Sequence, residues 1–339
     1  MRILKYVLFL VLILLIGFSI YVAVQPNEFD VQRKRTILAP AAVIYNNVND
    51  YKNWNAWSSW IEKNPDTKVT YPEQTSGVGG SYYWEDDDGK GSMTTVATDP
   101  VSSITQEMRF EDFPPSTVNW TFDGIDNTST EVTWQMTGAD LPFIMKFFSV
   151  ISGGYDAMMG PDFERGLEKL DSIVVADINR YSVTIEGVAN HGGGYYIYNT
   201  ASSKITDYQS KVQELFPRVG TYAVANNITM AGPAFQIVHK WDEENNAVIF
   251  SCAVPTVERI VSSEPDILTG KLEPFKAIKT ILKGNYDNLS EAWQKTMSYI
   301  EANGHTLIES GPMLEAYITD PMEEPNPANW ITEIYVAIE

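Results

Sequence analysis

Hydrophobic residues run without interruption through the start of the chain. From Tyr6 to Val24 the sequence YVLFLVLILLIGFSIYVAV contains no charged residue. At about 1.5 Å per residue, a helix of this length approaches the hydrocarbon thickness of a bilayer. A cleaved signal peptide is the competing interpretation, but its apolar region is usually shorter, and Tyr21 stands where a cleavage site requires a small residue. We therefore predict an uncleaved transmembrane anchor at 1–25, which does not pack on the rest of the protein, and a linker at 26–30.

The next block, 31–175, contains a strand pattern, short helices, many strands and a last helix. It opens with QRKRTILA, turns at Pro40 into the helical stretch AAVIYNNVNDYKNWNAWSSWI, and continues through alternating segments that turn signals separate. Its final part, GPDFERGLEKLDSIV, places Phe163, Leu167 and Leu170 on one face of a helix. This order predicts an α+β domain that one long helix completes.

The remaining block, 180–339, repeats one unit. Each copy has a helical pattern, at 203–216 and at 289–301, followed by a Gly-Pro pair, an alternating strand, an acidic turn and a second strand. The two copies of the latter part read GPAFQIVHKWDEENNAVIFSCAVP and GPMLEAYITDPMEEPNPANWITEIYVAIE. Two fused copies normally pack about a pseudo-twofold axis and leave a cleft between them. Glu333 is the one carboxylate among apolar neighbours in the last strand, and a position in this cleft would explain its presence there.

Strand alternation assigns the side chains of the last strand to two faces. One face is mixed and holds Ile331, Glu333, Tyr335 and Ala337. The other is the stronger core candidate and holds Thr332, Ile334, Val336 and Ile338. Glu333 beside Tyr335 fits either a pocket or a half-exposed surface.

The C-terminal block resembles the GyrI-like effector-binding domain, which is also attached to AraC-type and MerR-type regulators. The most specific segments are GPAFQIVHKWDEE and DPMEEPNPANWITEIYVAI. The resemblance implies an aromatic pocket between the repeats, with a glutamate that meets cationic or polar groups of a ligand. The residues that it implies for this pocket are Glu333, Tyr335, Tyr195, Trp330 and Phe235.

The block at 31–175 resembles the SRPBCC superfamily, the START-like or polyketide-cyclase-like proteins. The segments WNAWSSW, SGVGGSYYWEDDDGKGSMTT and GPDFERGLEKL support this resemblance. It implies a helix-grip fold, in which a curved antiparallel sheet wraps the long helix and encloses an apolar ligand cavity. Trp84, Phe143 and Phe147 are its candidate ligand contacts. The aromatic and methionine-rich segment that contains Phe143 and Phe147 fits either a lid or cavity wall or plain core filling. The three-residue spacing of Trp54, Trp57 and Trp60 favours core packing instead.

Charge and side-chain chemistry exclude several functions. The formal net charge is −20 and no basic patch or helix-turn-helix pattern is visible, so we expect no nucleic-acid binding. Cys252 is the single cysteine, which excludes an internal disulfide and a thiolate metal cluster. The histidines His191, His239 and His305 stand far apart without metal-binding motifs. We therefore expect no metal and no cofactor.

The charges that flank the anchor bear on its orientation. Arg2 and Lys5 favour a cytoplasmic N-terminus, whereas the run Arg33-Lys34-Arg35 beyond the span favours the reverse. Because a short head with a long C-terminal body usually inserts with the head inside, we expect a single-pass bacterial inner-membrane protein whose body lies outside the cytoplasm.

Two functions are compatible with these features. The favoured one is binding without chemistry, in which two hydrophobic pockets sense or sequester hydrophobic or cationic aromatic compounds. The alternative is hydrolysis of reactive electrophilic compounds, because some GyrI-like proteins resemble such hydrolases. There Glu333 would activate water and Tyr335 or Tyr195 would orient it. A desolvated glutamate among aromatic rings suits either role.

Overall fold

The chain folds into two units, seen in a computed structural model that describes residues 2–339. The first unit extends through Asp177 and the second runs from Ile178 to Glu339. Each unit contains one antiparallel sheet with helices, and the chain starts with an apolar helix. The predicted α+β class with two antiparallel sheets is confirmed.

The first unit is built on a seven-stranded antiparallel sheet. Its helices are α1 (Arg2–Ala23), α2 (Ala41–Asn49), α3 (Trp54–Trp57), α4 (Ser59–Lys63), α5 (Phe143–Ile151) and α6 (Tyr155–Ile178). Its strands are β1 (Phe29–Ile37), β2 (Lys68–Thr70), β3 (Ser81–Asp86), β4 (Gly89–Asp99), β5 (Ser103–Phe110), β6 (Ser116–Gly124) and β7 (Thr130–Gly138). The strand order is β1-β7-β6-β5-β4-β3-β2, so every neighbour except the β1–β7 pair is also the next strand along the chain.

Aromatic side chains fill the space between this sheet and α6. Trp57 and Trp134 lie edge to face with ring centroids 5.8 Å apart, and Trp134 stacks on Phe163 of α6 at 4.5 Å. Trp54 and Trp57 are buried as the spacing predicts, whereas Trp60 is 40% exposed. The helix is interrupted at Ser58, which has a φ of −60° and a ψ of 124°, so the helical spacing of Trp54 and Trp57 does not continue to Trp60.

Helix α1 is the one helix among the described residues that is long and apolar enough to cross a membrane. Nearly all its described side chains are exposed, and Val22 near its end is buried. The ring of Phe18 meets that of Phe147 in α5 edge to face, with centroids 6.0 Å apart. The expectation that this helix does not pack on the rest of the protein is therefore wrong, because the aromatic face of α5 gives it an apolar partner.

The second unit is built on an eight-stranded antiparallel sheet. Its helices are α7 (Tyr208–Ala225) and α8 (Leu289–Ala302). Its strands are β8 (Ser182–His191), β9 (Gly194–Lys204), β10 (Phe235–Asp242), β11 (Ala247–Thr256), β12 (Leu268–Leu272), β13 (Phe275–Lys283), β14 (Met313–Tyr317) and β15 (Ile331–Ala337). The strand order is β12-β9-β11-β10-β14-β15-β13-β8.

This strand order has the symmetry that the sequence repeat predicts. Strand β9, helix α7 and the hairpin β10–β11 form one copy, and β13, α8, β14 and β15 form the other. The two copies meet where β10 pairs with β14, in the centre of the sheet. Gln236 and Glu315, which stand in the same place after their Gly-Pro pairs, are directly opposite each other in this pairing. The pseudo-twofold axis therefore passes beside these two residues.

The sheet of the second unit curls until its two sides approach each other. Only Glu273 and Pro274 separate β12 from β13, although these strands lie near opposite edges of the sheet. Leu272 from one side and Phe275 and Tyr335 from the other pack on the same apolar cluster around Phe235. Helices α7 and α8 cover the other face. The face without helices is therefore the inner face of the curl.

Candidate functional site

Glu315 lies in the centre of the second unit, on the face that the helices cover. It is 4% exposed, and its neighbours across the sheet are Gln236 and Ile334. Trp293 of α8 donates its indole N–H to Oε1, and Tyr317 donates its hydroxyl to Oε2 at 2.7 Å. The amide of Gln236 donates to Oε2 at the longer distance of 3.4 Å. The described residues provide no basic side chain that pairs with this carboxylate.

Burial controls the protonation of Glu315. Loss of water around the carboxyl raises its pKa above the ordinary value of 4.5, and the hydrogen bonds from Trp293 and Tyr317 oppose the rise. Burial and the neighbouring carboxylate also raise the pKa of the Tyr317 hydroxyl. Tyr317 therefore remains a hydrogen-bond donor at neutral pH. Within this cluster, the buried charge of Glu315 is what lowers the stability of the fold.

Aromatic rings from both repeats surround the Glu315 cluster. Tyr317 makes edge-to-face contacts with Phe216 of α7 and with Tyr286, each with ring centroids 5.3 Å apart. Tyr286 in turn lies against Trp330 at 4.8 Å. Such faces attract organic cations through the negative potential of their π systems. A carboxylate within this set of rings is suited to bind a cation that is itself apolar.

Glu315 was not among the residues that the sequence singled out. Two signals were available: it is the lone carboxylate in the strand MLEAY, and it occupies the repeat position of Gln236. Residues beside a pseudo-twofold axis face their own counterparts, so a polar pair at equivalent positions identifies the centre of the domain. The sequence pattern favoured Glu333 instead, because it is the one carboxylate among apolar residues in the last strand, WITEIYVAIE.

Glu333 lies on the inner face of the same sheet. Lys279 forms an ion pair with its Oε1 at 2.7 Å, and the Tyr335 hydroxyl donates to its Oε2 at 2.6 Å. Burial alone would lower the pKa of Lys279, but the hydrogen bond to Glu333 and attraction to Tyr335 and Glu333 raise it overall. Burial, and then the bond to Glu333, raise the pKa of Tyr335. The charge of Glu333 thus already has a partner.

The other three residues expected in the GyrI-like pocket lie in different places. Phe235 shares the inner face with Tyr335, and both belong to the apolar cluster there. Trp330 lies with Tyr286, close to the rings around Glu315. Tyr195 lies beside Lys271, whose Nζ is 6.0 Å from the centre of its ring. The structure therefore brings Glu333, Tyr335 and Phe235 to one face and Trp330 to the surroundings of Glu315.

The three candidate contacts in the first unit do not meet in one cavity. Trp84 lines an open groove of about 440 Å³ together with charged residues such as Lys90 and Arg109. Phe143 is 48% exposed on α5, and Phe147 faces Phe18.

A small apolar cavity of the first unit lies behind α5. It measures about 100 Å³, and its lining is Phe29, Met108, Phe110, Phe113, Pro114, Ser116, Met136, Met145, Tyr155, Met158 and Met159. Pockets for drug-sized ligands usually measure about 300–1,000 Å³. The cavity must widen before it admits such a ligand.

The described residues contain no group of three or more histidine, cysteine, aspartate or glutamate side chains placed to hold a metal ion. Cys252 packs under α7, where burial raises the pKa of its thiol to about 12. Its sulfur is therefore uncharged and inert at neutral pH. The chemistry available in the second unit is that of carboxylates, tyrosine hydroxyls and aromatic faces.

The second unit thus has a duplicated α+β fold around a buried carboxylate and aromatic rings. Residues 196–339 match the GyrI-like small molecule binding domain, so the C-terminal part of the chain contains a domain of this kind. None of the curated proteins matches the chain. The resemblance of 31–175 to the SRPBCC superfamily stays a prediction.

Solved structures are similar to part of the chain. The C-terminal domain of EcmrR is 19% identical, with 47% of this chain and 98% of that chain covered and a TM-score of 0.40. The structure of SAV2435 bound to tetraphenylphosphonium is 12% identical, with 47% and 94% covered and a TM-score of 0.34. Protein CV1439 from Chromobacterium violaceum is 16% identical, with 43% and 96% covered and a TM-score of 0.31.

Proposed function

We propose that this protein is a membrane-anchored binding protein whose C-terminal domain takes lipophilic or aromatic cations at Glu315. The observation that supports this function most directly is a fully buried carboxylate that has three hydrogen-bond donors but no basic partner among the described residues. An apolar cation offsets the charge without returning water to the site. The surrounding rings of Tyr317, Tyr286 and Trp330 supply the faces that such a cation prefers.

The ligand must be able to enter between the helices. Trp293 of α8 covers Glu315 from the second repeat and donates a hydrogen bond to it directly. Tyr208 at the start of α7 covers it from the first repeat and is linked to it through a hydrogen bond with Gln236. We propose that a movement of these helix ends opens the site. Gln236 has a carbonyl Oε1 that lacks a hydrogen-bond partner among the described residues although the side chain is buried.

A thermal-shift measurement with two matched probes tests this function. We choose tetraphenylphosphonium as the cation and triphenylphosphine oxide as a neutral compound with similar rings. The proposal expects the cation to raise the melting temperature of the second unit and the neutral compound to leave it nearly unchanged. Equal shifts from both compounds would show that ring burial alone drives binding and that the carboxylate has no part in it.

A second candidate function is hydrolysis of an electrophilic small molecule at Glu333. The observation in its favour is the short chain of contacts from Tyr335 to Glu333 to Lys279 on the inner face, where the Glu333 side chain remains 19% exposed. Exposed carboxylate oxygen can activate a water molecule while the tyrosine hydroxyl orients the substrate. Turnover of an electrophilic probe that Glu333→Gln abolishes and Glu315→Gln retains would favour this function.

The anchor and the first unit complete the proposal. We propose that α1 spans the bacterial inner membrane and that the rest of the chain lies outside the cytoplasm. The exposed apolar surface of α1 supports the span, since only Val22 among its described side chains is buried. We propose a START-like role for 31–175, as a second apolar binding module that involves Trp84, Phe143 and Phe147. None of these three residues lines the small cavity behind α5, so this role requires the cavity to enlarge until it reaches them.

A further inference from the structure

Helix α5 has an apolar face that is largely exposed, although α1 contacts it at Phe147. The exposed fractions of Phe143, Ile144, Phe148 and Ile151 are 48, 44, 51 and 57%. Together with Phe147 these residues lie within a sector of about 140° when each residue advances about 100° around the helix. The opposite side faces the protein, where Ser149 is buried and Met145 lines the small cavity. The helix is therefore amphipathic, with the apolar side outward.

The end of α1 fixes the position of this helix. Phe147 meets Phe18 of α1, and Lys146 donates from Nζ to the backbone oxygen of Gln25 at 3.1 Å. Just before α5, the backbone N–H of Leu141 donates to the oxygen of Asn27 at 3.2 Å. The exposed face of α5 thus continues the exposed apolar surface of α1 at the point where α1 ends.

The depth of the contact matches that of an interfacial helix. At about 1.5 Å per residue, Phe18 lies roughly 7 Å along α1 from its end at Ala23. Amphipathic helices that lie on a membrane bury their apolar face about 5–10 Å into the boundary between headgroups and acyl chains. A helix that touches α1 at Phe18 therefore lies at the depth of this boundary when α1 spans the bilayer.

The chain leaves this layer directly after α5. Gly153 and Gly154 both have positive φ angles, of 86° and 109°, which only glycine adopts freely. They connect α5 to α6, whose first turn includes the charged Asp156, in an ion pair with Arg33 of β1. Polar structure therefore resumes as soon as the apolar helix ends.

We propose that α5 lies in the membrane interface, in the leaflet where α1 ends, and that lipid covers Phe143, Ile144, Phe148 and Ile151. This inference rests on the proposed span of α1. It places the first unit against the bilayer surface and makes the cavity behind α5 a neighbour of the acyl chains. A protein partner on this face is the alternative occupant, and the continuity with α1 favours lipid.

Lipid-depth quenching of a fluorescent label on the full chain tests the inference. Single cysteines at Phe148, at Leu10 in α1 and at Ile125 are labelled with an environment-sensitive dye in vesicles of phosphatidylethanolamine and phosphatidylglycerol. Ile125 is a matched apolar control, because it is 62% exposed in the turn after β6, at the end of the strands away from α1. The native Cys252 is fully buried, so the parent chain gives the unlabelled background.

The inference expects quenching at Phe148 by lipids with a spin label near the carbonyl group, with less quenching by lipids labelled at the chain end. At Leu10 the chain-end label quenches more strongly, and at Ile125 neither does. Quenching at Leu10 without quenching at Phe148 would overturn the interfacial helix and leave the span intact. Loss of quenching at both positions would overturn the span as well.

Discussion

At the scale of single residues, the two glutamates on neighbouring strands differ in how their charge is compensated. Glu333 has Lys279 and Tyr335 within hydrogen-bond distance, on the inner face of the sheet. Glu315 has neutral donors alone among the described residues, in a fully buried setting. A neutral hydrogen bond does not replace water around a charge completely. The charge of Glu315 therefore lowers the stability of the ligand-free protein, and a bound cation removes this effect.

Replacement of Glu315 by glutamine tests this cost through stability. Glu315→Gln retains the shape and removes the buried charge. Its amide keeps one acceptor oxygen, for either Trp293 or Tyr317, and places an NH2 group where the other carboxylate oxygen was. We expect a gain of about 1–2 kcal/mol in the free energy of unfolding at neutral pH. Chemical denaturation of the ligand-free protein measures the gain. A loss of stability would contradict a net cost of the buried charge.

The pH dependence of this difference follows from the raised pKa. The folded protein holds the Glu315 proton more tightly than the unfolded chain does. Protonation of Glu315 therefore stabilises the fold fully at pH values below the ordinary glutamate pKa of 4.5, and this stabilisation disappears as the pH rises through the raised pKa. The gain from Glu315→Gln should therefore increase with pH through this window. A difference between variant and parent that stays constant with pH would contradict the raised pKa.

At the scale of elements, the curl of the second sheet depends on the connection between β8 and β9. Gly193 has a φ of 69°, and a Cβ atom there would lie 2.3 Å from the backbone oxygen of Leu272. A Cβ atom at the neighbouring Gly192 would meet open space, and the φ of Gly192 lies outside the left-handed region. The two glycines thus provide a matched pair, one constrained by the closure of the sheet and one free of it.

Alanine at Gly193 should lower the stability of the second unit by about 1–3 kcal/mol, because the new Cβ displaces the β12–β13 connection in addition to the cost of the left-handed backbone. Alanine at Gly192 should change it by less than about 0.5 kcal/mol. Thermal or denaturant melts of both variants provide the comparison. Equal effects at the two positions would show that the two sides of the sheet are not held together here.

Local patterns predicted the elements of the second unit well. The Gly-Pro repeat identified the two copies, and the alternation in the last strand identified Thr332, Ile334 and Val336 as buried. The curl was not predictable in this way, because it depends on β12 and β13 meeting across the sheet. The contact between Phe18 and Phe147 was not predictable for the same reason, because hydrophobicity alone does not indicate which apolar surfaces contact each other.

At the scale of the whole molecule, the chain has two separately organised units, and the first of them begins with a long apolar helix. The boundary between the units falls between Asp177 and Ile178. Each unit has its own sheet and its own buried cluster, around Trp134 in the first and around Ile334 in the second. Separate cores are the usual basis of independent folding.

We expect the fragments 26–177 and 178–339 to unfold cooperatively when each is expressed alone. In calorimetry each fragment should give one transition, and the transition of 178–339 should respond to tetraphenylphosphonium. The fragment 26–177 lacks α1 and exposes the apolar face of α5, so mild detergent is required to keep it dispersed. A fragment without a cooperative transition would show that its unit depends on the other.

The most direct test of the central claim is calorimetric titration of tetraphenylphosphonium into the full chain and three variants. Glu315→Gln should weaken binding by about 1–3 kcal/mol, because the attraction between the phosphonium charge and the carboxylate is lost in a partly desolvated site. Glu301→Gln, at an exposed position of α8, is the matched control and should bind as the parent does. Glu333→Gln should also bind nearly as the parent does. Because the pKa of Glu315 is raised, binding by the parent should release protons at a pH where the carboxyl is partly protonated. Unchanged affinity in Glu315→Gln together with lost affinity in Glu333→Gln would contradict the account and move the site to the inner face.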